Sequence, residues 1–130
     1  MKIGIPAEMT AGETRIAMIP PRAEQFVERG HEVIVSADGG KSAGWTDEDY
    51  RTAGCEVIDT REQVFERSDV LLQVRGLGAS DEDGPDQYRE GHLVIGLLGP
   101  YDLDEELEEL AERSITTFAL ELIPRISRAI

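Results

Sequence analysis

Short apolar runs that alternate with helical segments constrain the fold of this chain most strongly. The runs "VLLQV" (Val70 to Val74) and "LVIGLL" (Leu93 to Leu98) are almost continuously apolar. Such runs are typical of strands that a parallel sheet buries on both faces. Four further strands are predicted, at Lys2 to Pro6, Glu32 to Ser36, Cys55 to Ile58 and Thr116 to Leu122.

Helix signals fall between these strands. Pro20-Pro21 opens a helix that Gly30 ends, and Thr46 to Asp49 form a capping box that starts a helix through Ala53. A short helix covers Val64 and Phe65. A fourth, capped by Asp102 or Asp104, places one apolar face at Leu103, Leu107, Leu110 and Ala111. The alternation predicts a single α/β domain over residues 1–130. We expect a mostly parallel sheet with helices on both faces, in a flavodoxin-like or Rossmann-like three-layer arrangement.

The charge balance excludes some classes of partner. The 130 residues carry 27 acidic and 13 basic side chains, a formal net charge of −14, and the only lysines are Lys2 and Lys41. An acidic surface repels phosphate backbones, which disfavours nucleic-acid binding. The excess indicates adaptation to a salt-rich cytoplasm, where ions screen the self-repulsion. A partner-binding acidic face is the alternative. A cytoplasmic location is expected, since no run has the roughly 20 apolar residues of a membrane helix.

Several motifs that suggest a site fail on inspection. Gly40-Lys41-Ser42 lacks the earlier glycine of a phosphate-binding loop, because Val35 holds that position. Gly76-Leu77-Gly78 lacks the third glycine of a dinucleotide fingerprint and opens a loop to Pro85 that is predicted to be mobile and on the surface. Cys55 is interpreted as a core residue, and His31 and His92 as solvated strand-edge residues. No catalytic residue and no metal site are predicted.

Arginines beyond the strand ends are the candidate ligand contacts. Arg15 lies in the loop after the first strand, Arg75 follows Val74, and Arg125 and Arg128 follow the last strand in "ELIPRISRAI". Ligands of parallel sheets collect at this edge, and a guanidinium binds carboxylate or phosphate in a bidentate manner. For Arg15 the alternative is a surface salt bridge. For Arg125 and Arg128 it is a helix start with solvated arginines.

The segments "KIGIPAE", "GETRIAMIP", "GHEVIV", "SAGWTDEDYRTAGCEVI", "SDVLLQVR" and "ELIPRISRA" occur in this order. Together they resemble the N-terminal domain of the alanine dehydrogenase/NAD(P) transhydrogenase family, and "PRISRA" is most similar to the α subunit of the proton-translocating transhydrogenases. The resemblance matches Gln73 to a substrate-binding lysine of the dehydrogenases, and Leu98-Gly99-Pro100 to the position of their catalytic histidine. Arg15 matches a carboxylate-binding arginine that both branches keep.

The resemblance implies the NAD(H)-side component of a transhydrogenase. In such a role, hydride would pass from NADH to NADP⁺ on a partner component, coupled to proton translocation. It also implies cofactor contacts from Arg125, Ile126, Ser127 and Arg128, and membrane association through partner subunits. A homodimer and a second NAD-binding domain or chain, which carries the glycine fingerprint absent here, are expected as partners. On its own this half of the module is not expected to be catalytic. The alternatives are an alanine dehydrogenase-like half-domain and a non-catalytic binding or assembly module.

Overall fold

A computed structural model of the chain describes residues 1–80 and 84–123. Its centre is a sheet of six strands in the order β3-β2-β1-β4-β5-β6, and every neighbouring pair is parallel. The strands are β1 (Lys2–Ile5), β2 (Glu32–Ser36), β3 (Glu56–Ile58), β4 (Val70–Arg75), β5 (Leu93–Leu97) and β6 (Thr116–Ala119). This order is that of the doubly wound Rossmann-like sheet, so the predicted fold class is confirmed.

Four α-helices connect the strands, and local sequence explains where they begin. They are α1 (Pro20–Glu28), α2 (Asp47–Thr52), α3 (Arg61–Arg67) and α4 (Asp104–Glu112). Two prolines open α1, and Gly30 follows its end at φ 92°, where a residue with a Cβ would be strained. The predicted capping box is present in both directions. The Thr46 hydroxyl accepts from the Asp49 N–H, and the Asp49 carboxylate accepts from the Thr46 N–H.

The helices divide between the two faces of the sheet. The first face carries α1 and α2, whose Ala23 and Tyr50 pack on Ile5, Val33 and Val35. The second face carries α3 and α4, whose Phe65 and Leu110 pack with Leu71 and Val94. This division is what right-handed crossovers dictate, because the chain runs outward from β1 to β3 and then returns to β4 on the other side. Cys55 is buried at 7% exposure, as predicted.

Three details of the second half differ from the sequence prediction. The N-cap of α4 is Leu103 and its first residue is Asp104, so the proposed aspartate cap is wrong, and Ala111 is exposed instead of on the apolar face. β6 ends at Ala119 and a single 3₁₀ turn, Leu120–Leu122, follows. The loop after β4 is not wholly on the surface, because Leu77 is only 3% exposed and joins the core of the second face.

His92 is buried, so the prediction that it is a solvated strand-edge residue is wrong. Its imidazole is 2% exposed, packs edge-on against the Tyr88 ring at 6.5 Å between centroids, and accepts a hydrogen bond at Nδ1 from the Arg89 N–H. Burial, together with the nearby Arg89 cation, lowers the pKa of His92 below its ordinary value. Folding therefore favours the neutral form of His92.

We expect the stability of the domain to fall as the pH drops through the ordinary histidine range of about 6.5. The unfolded chain binds a proton at His92 more readily than the folded chain does, so acid favours unfolding in this window. Free energies of unfolding, measured in urea at constant salt, should decrease more steeply for the natural sequence than for His92→Gln. Parallel pH profiles for the two proteins would contradict this assignment.

Candidate ligand site at the carboxyl ends of the strands

The strand order creates a crevice where the chain changes direction. β1 has β2 on one side and β4 on the other, so the loops that follow β1 and β4 leave the sheet in opposite directions. Beside this point, on the first face, lies a cavity of ≈ 450 Å³, within the range of small-molecule sites. Its lining residues are mainly apolar: Arg15, Ile16, Ala17, Leu72, Gln73, Val74, Ile95, Leu97 and Leu120.

An ion-paired cluster stands at the rim of the cavity. The Arg15 guanidinium binds Glu13 as a fork, with Nε to Oε2 and Nη2 to Oε1 both at 2.9 Å. The Arg75 Nε donates to the same Oε1 at 2.8 Å. Hydrogen bonding to Arg15 holds the pKa of Glu13 well below its ordinary value. Two cations therefore share one carboxylate, and the Glu8 carboxylate lies close enough to act on Arg15 as well.

Arg15 forms the salt bridge that was the alternative interpretation, and it also lines the cavity at the strand ends. Its predicted contact with an anionic ligand stays a prediction. The Arg15 side chain is 58% exposed, whereas that of Glu13 is 4% exposed. An anionic ligand that approaches from the cavity would meet a guanidinium whose orientation Glu13 has already fixed. The sequence did not predict Glu13 as the shared partner of Arg15 and Arg75. Glu13 and Arg15 are neighbours in "GETR", but nothing in that motif indicates that Arg75 lies beside them.

Glu8 fixes the end of β4. Its two carboxylate oxygens accept hydrogen bonds from the backbone N–H groups of Val74 at 2.9 Å and Arg75 at 2.8 Å. Burial raises the pKa of Glu8 above its ordinary value, although these bonds oppose the rise. A single side chain from the loop after β1 therefore positions the backbone that carries Arg75.

Glu121 holds the loop after β5 in the same way. Its carboxylate accepts from the N–H groups of Leu98 and Gly99, both at 3.0 Å. Burial opposes ionisation, but the backbone donors outweigh it and lower the pKa of Glu121. Gly99 adopts φ 57°, and a Cβ there would meet the Gly78 backbone at 2.8 Å. This loop is therefore held by side chain and backbone together, and it approaches the loop after β4 closely.

Gln73 is buried behind the cavity wall. It is 2% exposed, and its Oε1 accepts a hydrogen bond from the Tyr88 hydroxyl at 2.5 Å on the second-face side. Within the part of the chain that the structure describes, Arg15 is the sole ionisable residue that lines the cavity. Residues Arg125 to Arg128, predicted to contact a cofactor, lie outside the described residues of the chain. Within residues 1–80 and 84–123, no group of three or more His, Cys, Asp or Glu side chains is placed to hold a metal ion.

Comparison with known proteins places this fold and crevice in a family. Residues 4–130 match the family described as "Alanine dehydrogenase/PNT, N-terminal domain". The NAD(P) transhydrogenase subunit alpha of Cereibacter sphaeroides is 37% identical over 129 residues, which is 99% of this chain and 24% of that protein. A subunit alpha polypeptide of the Rhodospirillum rubrum transhydrogenase is 37% identical over 132 residues, 99% of this chain and 34% of that protein. The alanine dehydrogenase of Methanococcus maripaludis is 28% identical over 130 residues, 100% and 34% respectively.

Solved structures agree with the sequence comparison. The transhydrogenase of Sinorhizobium meliloti superposes with a TM-score of 0.84 at 32% identity, over 99% of this chain and 36% of that one. An L-alanine dehydrogenase superposes with a TM-score of 0.80 at 27% identity, over 92% and 32%. The chain belongs to the alanine dehydrogenase/transhydrogenase N-terminal domain family, as the sequence resemblance predicted. The chain spans between about a quarter and about a third of the length of the relatives named here. Across the described residues, no helix has the length and apolar character needed to cross a bilayer.

Proposed function

We propose that this domain is the N-terminal portion of the NAD(H)-side component of a proton-translocating NAD(P) transhydrogenase. In this role it helps to hold NADH while hydride passes to NADP⁺ on a partner component. NAD supplies the hydride chemistry, and the protein supplies position and exclusion of water. The subunit alpha relatives, similar over 99% of the chain, support this branch of the family.

The observation that carries the proposal is the chemistry of the cavity. Oxidative deamination of an amino acid needs a group that accepts and returns a proton. Among the lining residues within 1–80 and 84–123 only Arg15 is ionisable, and a guanidinium stays protonated at neutral pH. The loop Leu98 to Pro100, matched to the catalytic histidine of the dehydrogenases, carries no ionisable side chain. Direct hydride transfer between two nicotinamides requires no such group.

The residues present fit one end of NAD(H) better than the whole dinucleotide. Leu72, Ile95 and Leu97 offer an apolar wall for a nicotinamide ring, and Arg15 offers a cation at the rim. The "GLG" loop does not offer a pyrophosphate cradle, because the N–H groups of Gly76 and Gly78 already donate to the carbonyl oxygens of Leu97 and Leu98. The pyrophosphate and adenosine would therefore bind a second domain or chain, which carries the glycine fingerprint.

The cofactor loop at Arg125, Ile126, Ser127 and Arg128 completes the proposal. Its basis is the resemblance of "PRISRA" to the transhydrogenases, in which the matching loop reaches the nicotinamide. Arg125 would orient the carboxamide or neutralise a phosphate, and Ser127 and Arg128 would shape the loop. The described chain leads towards the crevice side, since Glu121, three residues before Pro124, binds the loop after β5.

Partners and location belong to the same proposal. The domain would act in the cytoplasm of a salt-adapted cell, at the membrane through the proton-translocating subunits, and as a homodimer of the α subunit. NADP would bind the partner component.

The decisive assay uses the native-length polypeptide with its membrane and NADP-binding components at high salt. We expect NADH-dependent reduction of an NADP⁺ analogue and no oxidation of NADH by pyruvate and ammonium. Robust pyruvate-dependent turnover would instead establish the alanine dehydrogenase alternative. If neither reaction occurs and no nucleotide-binding chain associates, the domain is a binding or assembly module.

Replacing Arg125 by alanine should raise the KM for NADH by about tenfold, the value of one charge-assisted hydrogen bond of about 1.4 kcal/mol. Arg125→Lys should recover some of the loss, because the charge returns without the planar fork. Arg29→Ala, an exposed arginine after α1, is the matched control and should leave KM unchanged. Equal KM values for Arg125→Ala and the control would remove Arg125 from the cofactor site.

A further inference from the structure

A separate groove lies at the carboxyl end of β2 and shares no lining residue with the cavity described above. Its volume is ≈ 350 Å³, within the range of small-molecule sites. Because every strand is parallel, the loop after β2 leaves the edge of the sheet at which ligands of such folds bind. The lining residues all belong to this loop or to the start of α2: Asp38, Lys41, Gly44, Trp45, Thr46 and Asp47.

Trp45 forms a rigid wall of the groove. Its backbone N–H donates to the Gly40 carbonyl oxygen at 2.9 Å, and its side chain packs against the core of the first face. A Cβ on Gly40 would lie 3.0 Å from the Trp45 Cβ and 2.7 Å from the Tyr50 ring, so the loop closes tightly on both aromatic residues. Trp45 is half-buried, which leaves part of its surface to the groove. A ring held in this way offers apolar contact to a ligand at little cost in conformational entropy.

Two opposite charges line the same groove without pairing. Asp38 and Lys41 are both exposed and belong to one turn, in which the Lys41 N–H donates to the Asp38 carbonyl oxygen at 3.2 Å. Among residues 1–80 and 84–123, no carboxylate oxygen lies within 4.0 Å of the Lys41 ammonium, and no cationic nitrogen lies within 4.0 Å of the Asp38 carboxylate. The groove therefore presents one free cation and one free anion beside an aromatic wall.

The backbone of Asp38 is fixed by the loop itself. Asp38 adopts φ 59°, a conformation that a non-glycine residue keeps only where the surrounding structure imposes it. Its N–H donates to the Asp47 Oδ1 at 2.8 Å, so the first residue of α2 holds it in place. The position of the Asp38 carboxylate therefore does not depend on a contact with Lys41.

We propose that this groove binds a zwitterionic α-amino acid with an aromatic side chain. Lys41 would bind the carboxylate, Asp38 would bind the ammonium group, and the aromatic ring would lie against the Trp45 indole. A ligand with two negative charges would be repelled by Asp38, and one with two positive charges would be repelled by Lys41. The inference does not rest on the proposed transhydrogenase role, because it concerns a different loop and different residues.

Trp45 is the only tryptophan of the 130-residue chain, so its fluorescence reports on this groove. We would titrate the chain with L-phenylalanine at constant high salt, and measure binding of the labelled amino acid by equilibrium dialysis in parallel. We expect saturable binding by dialysis, with a change in Trp45 emission over the same concentrations. 2-Phenylethylamine and 3-phenylpropionate each lack one charge and should bind about tenfold more weakly. L-Alanine, which lacks the ring, should also bind more weakly.

Two substitutions remove one charge each from the groove. Lys41→Gln and Asp38→Asn should each weaken the binding of L-phenylalanine by about tenfold, the value of one charge-assisted hydrogen bond. Asparagine tolerates a positive φ, so Asp38→Asn should preserve the loop, and an unchanged Trp45 emission spectrum of the free variant would verify this. Lys2→Gln, at the exposed first residue of β1, is the matched control and should bind as the natural sequence does.

Two results would overturn the proposal. If L-phenylalanine does not bind by dialysis, the groove is not an amino-acid site. If the zwitterion and its two single-charge analogues bind equally, the groove is only an apolar surface. The analogue series uses the natural sequence, so it decides the question even if a variant fails to fold. Neither measurement involves NADH, so failure here and failure of the transhydrogenase assay are separate outcomes.

Discussion

Gly96→Ala should be the most destabilising single-methyl substitution in the sheet. A Cβ at this position would lie 2.2 Å from the carbonyl oxygen of Gln73 on the neighbouring strand β4. Because that atom belongs to the backbone, no change of rotamer can relieve the clash, and β4 and β5 must separate. We expect a loss of about 3 kcal/mol in the free energy of unfolding, the upper end of typical overpacking costs.

Gly84→Ala provides the matched control. A Cβ there meets nothing within 4 Å, and its backbone φ of −126° suits any residue. Urea unfolding at constant high salt should show a clearly lower midpoint for Gly96→Ala and an unchanged midpoint for Gly84→Ala. If the two variants unfold at the same midpoint, the close approach of β4 and β5 at the Leu72–Arg75 irregularity is not as described.

Glu121→Ala should have the second largest effect on the free energy of unfolding, and it should also affect the KM for NADH. The substitution leaves the N–H groups of Leu98 and Gly99 without their acceptor. Two bonds to a charged group, discounted for the partial exposure of Glu121, correspond to about 2 kcal/mol. The loop after β5 should loosen beside the cavity, so the KM for NADH in the assembled protein should rise.

A glutamine at position 121 separates the effect of the side-chain charge on stability from the effect of the side-chain shape. Glu121→Gln keeps one acceptor and should lose about half as much stability, whereas Glu108→Ala, an exposed glutamate of α4, should lose almost none. The pKa of Glu121 is lowered in the folded protein, so its contribution is present above its ordinary pKa of about 4.5 and disappears as the pH falls below that value. A pH-independent difference between Glu121→Gln and the natural sequence would contradict the role of the charge.

Local signals made most of the fold predictable. The Thr46 capping box, the prolines that open α1 and the apolar strand runs each depend on a few neighbouring residues, and each was confirmed within one to three residues. α4 was less exact because Leu103, a residue with no capping side chain, stands at its N-cap. Sequence offers no local signal for such an end.

The site was less predictable, because its contacts join distant residues. Arg15 and Arg75 were recognised as cations beyond strand ends, but their shared partner Glu13 is 62 residues from Arg75 along the chain. Glu8 and Glu121 bind backbone groups 66 and 23 residues away, respectively. In a chain with 27 acidic residues, nothing in the sequence marks these as the ones that hold loops. His92 shows the same limit, since only the packing of Tyr88 over it reveals that it is buried.

The position of β1 has a consequence for how the protein acquires its structure. β1 is made before its partner β4, and the hydrogen bond from the Lys2 N–H to the Asp69 carboxylate joins residues 67 apart in the chain. Before β4 is made, any pairing of β1 to β3 would leave one edge of β1 without its partner strand. Because the closing of such a long loop precedes any gain from pairing, folding should be slow and should begin only after β4 has left the ribosome. A ribosome-bound chain stopped before residue 70 should accordingly remain sensitive to protease, and one extended past the β4 region should not.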